Sequence, residues 1–234
     1  MTTATLAAPM RRAATPTLVL LLVAQVVLFM IPLIVLGQAI GWPASLRLSA
    51  AEALPLIARQ SLAVQIGYWG YLATVVALVP LVMALRQLAH DHGVTGFAVD
   101  TMTGFGLAAA VLKSLGIVRW LIAMPKLATL YADGDPTLRA SIEVGYELLN
   151  AYGGSIGELL GVQLFSGFWL IALGMVLGRI GLRLNGWAAI AIGAGFVAAA
   201  LRTLVPALEI LQSVMPPITL LWLLGLAATV WRSR

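Results

Sequence analysis

The chain has 234 residues, of which 61% are hydrophobic and only 10% are charged, and its formal net charge is +5. Soluble domains carry about 25% charged residues, so this composition excludes a soluble globular protein and indicates an integral membrane protein. The basic residues are spread over many positions, which argues against a nucleic-acid partner. Cysteine is absent, which excludes disulfides, thiolate metal sites and a cysteine nucleophile.

Six apolar runs are candidates for membrane-spanning helices, which need about 20 mainly apolar residues. The first follows a small, polar N-terminus that contains Arg11 and Arg12, and its length favours a retained signal anchor over a cleaved signal peptide. We predict an all-α polytopic bundle that forms a single transmembrane domain over 1–234, with a flexible cytoplasmic N-terminus at 1–16. The predicted spans cover 17–37, 63–85, 101–124, 154–177, 185–205 and 214–231.

The distribution of Lys and Arg between the two sides predicts the orientation. With the N-terminus in the cytoplasm, the inner side holds seven basic residues, whereas the outer side holds five basic and six acidic residues. Cytoplasmic loops of membrane proteins are enriched in Lys and Arg. We therefore expect both termini in the cytoplasm.

The connections on the predicted outer side carry helix-start signals. Ser49 and Glu52 have the spacing of a capping box, and Asp135 precedes Pro136 as an N-cap precedes a first-turn proline. A third piece is expected near 206–212. These signals predict short interfacial helices on the outer face. The last span is short after Pro216 and Pro217, so its helix either tilts little or begins before the prolines.

Four charged residues fall inside predicted spans, and one of them, Arg202, lies at the end of the fifth span. Lys113 lies near the middle of the third span, Arg119 lies about one turn from its outer end, and Glu158 lies about one turn from the outer end of the fourth span. A charged side chain at the bilayer centre costs about 2.5–3.5 kcal/mol on insertion scales. Because consecutive spans run in opposite directions, Arg119 and Glu158 lie at matching depth. We predict an intramembrane ion pair or a short polar bridge between them.

Further polar side chains fall at a similar depth and extend this set into a predicted polar cluster in the outer half of the bundle. The cluster either satisfies itself and fixes helix packing, or it forms a site for a ligand, a lipid or an ion. Its additional members are Gln65, Tyr68, Tyr71, Gln163 and Arg202.

The stretch "GGSIGELLG" contains the G-x-S-x-G spacing of a hydrolase nucleophile around Ser155. That motif requires a strand before the serine, whereas this stretch opens a membrane helix. Six spans and a serine at the outer end of the fourth are distantly reminiscent of rhomboid-type proteases, but His90 and His92 both follow the second span on the opposite side. A dyad of Ser155 with Lys126 is the remaining serine-protease alternative. We assign no catalytic residue, metal ligand or cofactor.

Small residues in the fourth span recur at a spacing that lets helix backbones approach closely. The expected partner is a neighbouring span, and the same surface also permits association between copies of the chain. The predicted packing glycines are Gly153, Gly157, Gly161, Gly174 and Gly178.

The stretch "LGIVRWLIAMPKLATLY", at 115–131, followed by the "GELLG" of the fourth span, resembles a bacterial family of six-helix membrane proteins catalogued as domain of unknown function four-three-eight-six. "GWPASLRL" in the first outer connection adds to the resemblance. The resemblance covers most of the chain and implies no particular activity. The positions that match are Gly116, Arg119, Trp120, Pro125, Leu127, Tyr131, Gly157 and Glu158.

These observations favour a non-enzymatic, multi-pass protein of a bacterial inner membrane. It would bind, sense or transport a small molecule or lipid through the polar cluster, with the lipid bilayer as its constant partner. Two alternatives stay open. One is an intramembrane hydrolase or a degenerate rhomboid-like protein, and the other is a structural accessory subunit of a membrane complex.

Overall fold

The computed structural model describes the backbone of residues 8–232 and the side chains of residues 16–232. Residues 1–7 of the predicted flexible N-terminus lie outside the described residues, and helix α1 begins at Ala8. Residues 8–232 contain helices and no β-strand. Six helical stretches are long and apolar enough to cross a membrane, which confirms the predicted all-α architecture with six spans.

The first two spans are joined by a structured segment. Helix α1 covers Ala8–Ile40, a 3₁₀ turn covers Ala44–Arg47, α2 covers Ala50–Arg59, and α3 covers Ser61–Asp91. The predicted capping box is present, because the backbone N–H and the hydroxyl of Ser49 both donate to Glu52 Oε2, at 3.1 and 2.7 Å. The predicted interfacial helix in the first outer connection is therefore α2.

The helical stretches that contain the predicted third and fourth spans extend beyond the predicted bounds of those spans. Helix α4 covers Phe97–Leu121, and after a break at Ile122 the chain continues as α5, Ala123–Asp133. The Asp135 side chain accepts a hydrogen bond from Leu138 N at 2.8 Å, as expected of an N-cap, but the helix that it caps does not end before the fourth span. Helix α6, Pro136–Ser155, leads through a π-helical segment, Ile156–Phe165, into α7, Ser166–Arg179. The predicted span 154–177 begins near the end of α6, where the apolar run starts, and its bounds stay a prediction.

The last two spans are α8, Arg183–Ala200, and α9, Ile210–Arg232. The predicted third interfacial piece is a 3₁₀ turn, Pro206–Glu209. Helix α9 begins before Pro216 and Pro217, which is the second of the two arrangements that the sequence left open. The prolines are the seventh and eighth residues of α9, so each lacks the N–H that would donate to the carbonyl oxygen four residues earlier.

Contacts between Cα atoms divide the chain into two compact units. The Arg119 unit comprises Val27–Val76 and Val111–Leu160, and the Trp169 unit comprises Met1–Val26, Ala77–Ala110 and Gly161–Arg234. We describe each unit by itself. The assignment of residues 1–234 to one transmembrane domain stays a prediction.

Glycines allow the backbones of α7 and α8 to pack in direct contact in the Trp169 unit. A Cβ built on Gly193 would lie 2.5 Å from the carbonyl oxygen of Gly167, and a Cβ on Gly174 would lie 2.5 Å from that of Gly186. Both contacts involve backbone atoms, which cannot move aside as a flexible side chain can. The two helices therefore pack through small residues, as membrane helices commonly do.

Candidate functional site

The Arg119 guanidinium is held by neutral groups of its own unit. Arg119 lies in the last turn of α4, where Nη1 donates to Gly116 O at 3.2 Å and Nη2 donates to Asn150 Oδ1 at 3.3 Å. Its side chain lies over two glycines of α6, because a Cβ built on Gly153 would be 3.0 Å from Arg119 Cδ and one on Gly154 would be 3.3 Å from Nη2. The absence of side chains at these two positions makes room for the guanidinium.

A close helix contact fixes the position of this arginine. A Cβ on Gly116 would lie 2.5 Å from Gly157 Cα, so α4 meets the start of the π-helical segment almost backbone to backbone. Arg119 follows Gly116 by one turn and Gly153 precedes Gly157 by one turn, so the same contact places the arginine side chain beside Gly153.

The π-helical segment is the least regular part of the spans. It covers Ile156–Phe165 and contains Glu158 and Gln163. The Ser166 hydroxyl donates to Gly161 O at 2.8 Å, five residues earlier. π-Helical turns are rare, mostly single turns, and are frequent at functional sites.

Aromatic rings form one wall beside the guanidinium. The rings of Tyr68 and Trp120 are stacked, with centroids 4.9 Å apart and an interplanar angle of 8°, and Arg119 Cζ lies 5.6 Å from the Trp120 centroid. Two polar atoms at this place are buried and make no hydrogen bond with the described residues. One is the Tyr68 hydroxyl, and the other is Arg119 Nε. Buried polar groups of native proteins are nearly always hydrogen-bonded, so these two atoms call for a partner.

Glu158 acts on the same region through its charge. It interacts electrostatically with Arg119 and with Tyr71. The two terminal nitrogens of Arg119 donate to Gly116 and Asn150, so an ion pair between Arg119 and Glu158 stays a prediction.

Asn150 links this site to the connection between α1 and α3. While its Oδ1 accepts from Arg119, its Nδ2 donates to Leu46 O at 3.1 Å. Two further hydrogen bonds join the same segments, from Ala50 N to Glu147 Oε1 at 3.3 Å and from the Tyr146 hydroxyl to Leu48 O at 3.5 Å. Sequence reasoning missed Asn150, although a lone amide at the end of an amphipathic helix, one turn before the glycines, was a usable signal.

Each of the remaining predicted cluster members can be described within its own unit, and the single cluster stays a prediction. Gln65 Nε2 donates to Leu121 O at 3.0 Å, where α4 ends, and the Tyr71 ring packs edge-on against Phe29 and Trp42. Lys113 is half-buried on α4. Gln163 and Arg202 lie in the Trp169 unit, where Arg202 Nη1 donates to Gln163 Oε1 at 2.8 Å. Within the Arg119 unit, the structure thus groups Arg119 with Tyr68 and Glu158.

Ser155 does not have the surroundings of a nucleophile. Its hydroxyl donates to Ala151 O at 2.7 Å, one turn earlier on the same helix, which is the usual bond of a serine inside a helix. Lys126 is exposed. These contacts give the hydrolase alternative no geometric support.

The chain was compared with known proteins. It matches no curated protein and no solved structure. A family model matches residues 18–232, and it carries no known function. Because the match covers nearly the whole chain, this protein belongs to the family described as Domain of unknown function (DUF4386).

Proposed function

We propose that this protein is a non-enzymatic membrane protein that binds the anionic group of a lipid or small molecule at Arg119, in order to sense or transport it. One observation carries the proposal: Arg119 Nε and the Tyr68 hydroxyl are both buried donors without a partner among the described residues, in a wall formed by Trp120. A carboxylate or phosphate oxygen offers the acceptor that both donors lack.

Energetics support a ligand at this position. An unsatisfied buried donor costs about 1–3 kcal/mol, and a charged side chain within a span costs a similar amount. Arg119 has neutral hydrogen-bond acceptors at Gly116 and Asn150, which satisfy two of its nitrogens and leave its charge available. An incoming anion would therefore gain both an electrostatic attraction and two hydrogen bonds.

Glu158 fits this proposal as the group that balances Arg119 when no ligand is bound. Its charge acts on Arg119 already, and it lies in the π-helical segment, whose winding differs from that of the helices on either side. We propose that Arg119 and Glu158 form an intramembrane polar pair, and that a bound anion replaces Glu158 as the counter-charge.

The surroundings of the site follow from the orientation that the charge distribution favours. We propose that the protein lies in a bacterial inner membrane with both termini in the cytoplasm. The segment of Ala44–Arg59, bound to α6 through Asn150 and Glu147, would then cover the site on the outer side. A ligand would enter from the periplasmic half of the bilayer.

A thermal-shift titration of the full purified chain in detergent tests the proposal. The probes are decanoate and octyl phosphate as anions and decanol as the uncharged control. A ligand that binds only the folded state at about a hundredfold its Kd should raise the Tm by roughly 5 °C. We expect a response to at least one anion and none to decanol. The stronger of the two anions identifies a carboxylate or a phosphate ligand.

Matched variants locate the response. Arg119→Gln should abolish it, whereas Arg59→Gln, which removes an exposed positive charge at the end of α2, should retain it. Tyr68→Phe keeps the ring stacked on Trp120 and removes only the unpartnered hydroxyl, so it should fold and respond more weakly. An equal response in wild type and Tyr68→Phe, or no preference for anions over decanol, would overturn the proposal even if Arg119→Gln failed to fold.

A further inference from the structure

A groove lies between α7 and α8 in the Trp169 unit, with a volume of about 540 Å³. Arg179 and Arg183 line it at the turn that joins the two helices, and Trp187 and Ile190 line it along α8. It shares no residue with the Arg119 site, so the inference drawn from it does not depend on the proposed function.

The turn that forms the end of this groove has a defined geometry. Leu182 N donates to Leu177 O at 2.9 Å and Gly181 N donates to Gly178 O at 3.3 Å, the hydrogen-bond pair of a Schellman motif. Gly181 has a φ of +92°, which favours glycine. The turn is so short that Arg179, in the last turn of α7, and Arg183, the first residue of α8, both reach the same end of the groove.

Glycines give the groove its depth. The contact of Gly174 with Gly186 brings the helix backbones together below it. A Cβ built on Gly178 would meet no atom within 4 Å, so the space above Gly178 is open. The floor is therefore backbone, and the walls are side chains of α7 and α8.

The two ends of the groove differ in character. Both arginines are exposed, and neither guanidinium pairs with a carboxylate among residues 16–232. Further along, the lining is apolar, and two large side chains on its rim are exposed, Trp187 at 70% and Met175 at 45%. Tryptophan is enriched where the bilayer core meets the headgroups.

We propose that this groove binds an anionic phospholipid, with its phosphate between Arg179 and Arg183 and an acyl chain along Gly178 and Ile190. Charge complementarity identifies the occupant, because arginine binds phosphate oxygens through two parallel hydrogen bonds. Basic pockets between membrane-spanning helices are known to bind anionic lipid headgroups. The apolar part of the groove distinguishes a lipid from a free phosphate ion.

Lipid retention, measured by native mass spectrometry on the full chain, tests this proposal. The protein is equilibrated with equal amounts of dioleoyl phosphatidylglycerol and dioleoyl phosphatidylcholine, and bound lipid is counted. Wild type should retain phosphatidylglycerol preferentially. Arg179→Gln and Arg183→Gln should each weaken that retention roughly fivefold, whereas Arg232→Gln, which removes an exposed charge from the end of α9, should not.

A groove-filling variant separates a lipid in the groove from a charge effect at the surface. Gly178→Leu leaves both arginines in place and puts a side chain into the open space, so it should reduce retention of phosphatidylglycerol. Unchanged retention in Gly178→Leu, an equal loss in Arg232→Gln, or no preference for phosphatidylglycerol in wild type would each overturn the proposal. Both arginines are exposed, so their variants should elute as folded protein in size-exclusion chromatography.

Discussion

Glycine has different roles in the two units of this protein. In the Trp169 unit, Gly167 lies against Gly193 and Gly174 against Gly186, so backbone meets backbone along α7 and α8. The Arg119 unit has one such backbone contact, between Gly116 and Gly157, but there Gly153 and Gly154 lie against an arginine side chain. The first arrangement joins two helices, whereas the second makes space for a charged group inside a span. A glycine-rich face is therefore not by itself evidence of helix packing.

The two units can also be compared in the partners of their arginine side chains. In the Trp169 unit, Arg86 pairs with Asp100 at 3.5 Å with both side chains partly exposed, and such surface pairs contribute little. In the Arg119 unit, the guanidinium of Arg119 is partly buried and donates to neutral acceptors. Both units contain buried donors without a hydrogen-bond partner among the described residues, Arg86 Nε and Trp169 Nε1 in one and Arg119 Nε and the Tyr68 hydroxyl in the other.

The largest effect should come from a methyl group at a backbone contact. Gly193→Ala places a Cβ 2.5 Å from Gly167 O and 2.9 Å from Ile171 N, so it should lower the free energy of unfolding by about 3 kcal/mol, the upper end for overpacking. Gly153→Ala meets only the flexible Arg119 side chain at 3.0 Å and should cost less than about 1 kcal/mol. Denaturation in mixed micelles measures both.

Gly225→Ala is the control for this comparison, since a Cβ there meets no atom within 4 Å. It should leave the free energy of unfolding within about 0.5 kcal/mol of wild type. If Gly153→Ala destabilised as strongly as Gly193→Ala, the distinction between the two glycine roles would be wrong.

The pairing of Arg119 with Glu158 should give the next largest effect. Arg119→Gln and Glu158→Gln each leave a charge inside the span without its counterpart, whereas the double variant removes both. The double-mutant cycle should therefore show a coupling energy of about 2 kcal/mol. Additive losses of unfolding free energy would instead mean that the neutral acceptors Gly116 and Asn150 alone stabilise the arginine.

Asn150 and Asn185 offer a matched pair of amides, one in each unit. Asn150 bonds to Arg119 and to Leu46 O, and Asn185 Nδ2 donates to Thr229 Oγ1 at 3.2 Å. Replacement of either by Ala should cost about 1–2 kcal/mol, as expected for buried groups left without partners.

Only Asn150→Ala should also weaken the thermal response to anions, because only Asn150 orients the Arg119 guanidinium. Thermal-shift titrations of both variants with the more effective anion measure this. An equal loss of response in Asn185→Ala would show that the response reflects general stability and would remove Asn150 from the site.

Much of the fold was predictable because membrane-spanning helices require long apolar runs, which can be recognised in the sequence. Membrane-spanning backbone must satisfy its own hydrogen bonds, so a run such as 17–37 can only be a helix. The predicted depths of Arg119 and Glu158 rest on the same reasoning, since depth follows from the distance to the end of a span.

The rest depended on contacts that no local pattern records. The π-helical segment Ile156–Phe165 begins at the point where α4 packs against it through Gly116. This contact joins residues that are far apart in the sequence. The hydrogen bond between Arg202 and Gln163 likewise follows from how helices pack within the Trp169 unit. Polar residues at equal depth were predicted to form one cluster, but depth fixes only one of three coordinates.

The smallest effect concerns Glu52, which lies outside the spans. The Ser49 hydroxyl and then the Ser49 backbone N–H donate to its carboxylate, and these bonds lower the pKa of Glu52 below its ordinary value of 4.5. A carboxyl group whose pKa is lower in the folded state stabilises the fold above its unfolded pKa and loses that contribution as the pH falls through the folded pKa. Glu52→Gln lacks this carboxylate, so wild type should have the higher Tm at neutral pH, and the difference should shrink as the pH is lowered below about 4.5. A difference that stays constant down to the lowest pH at which the protein folds would mean that the capping box at the start of α2 does not depend on the charge of Glu52.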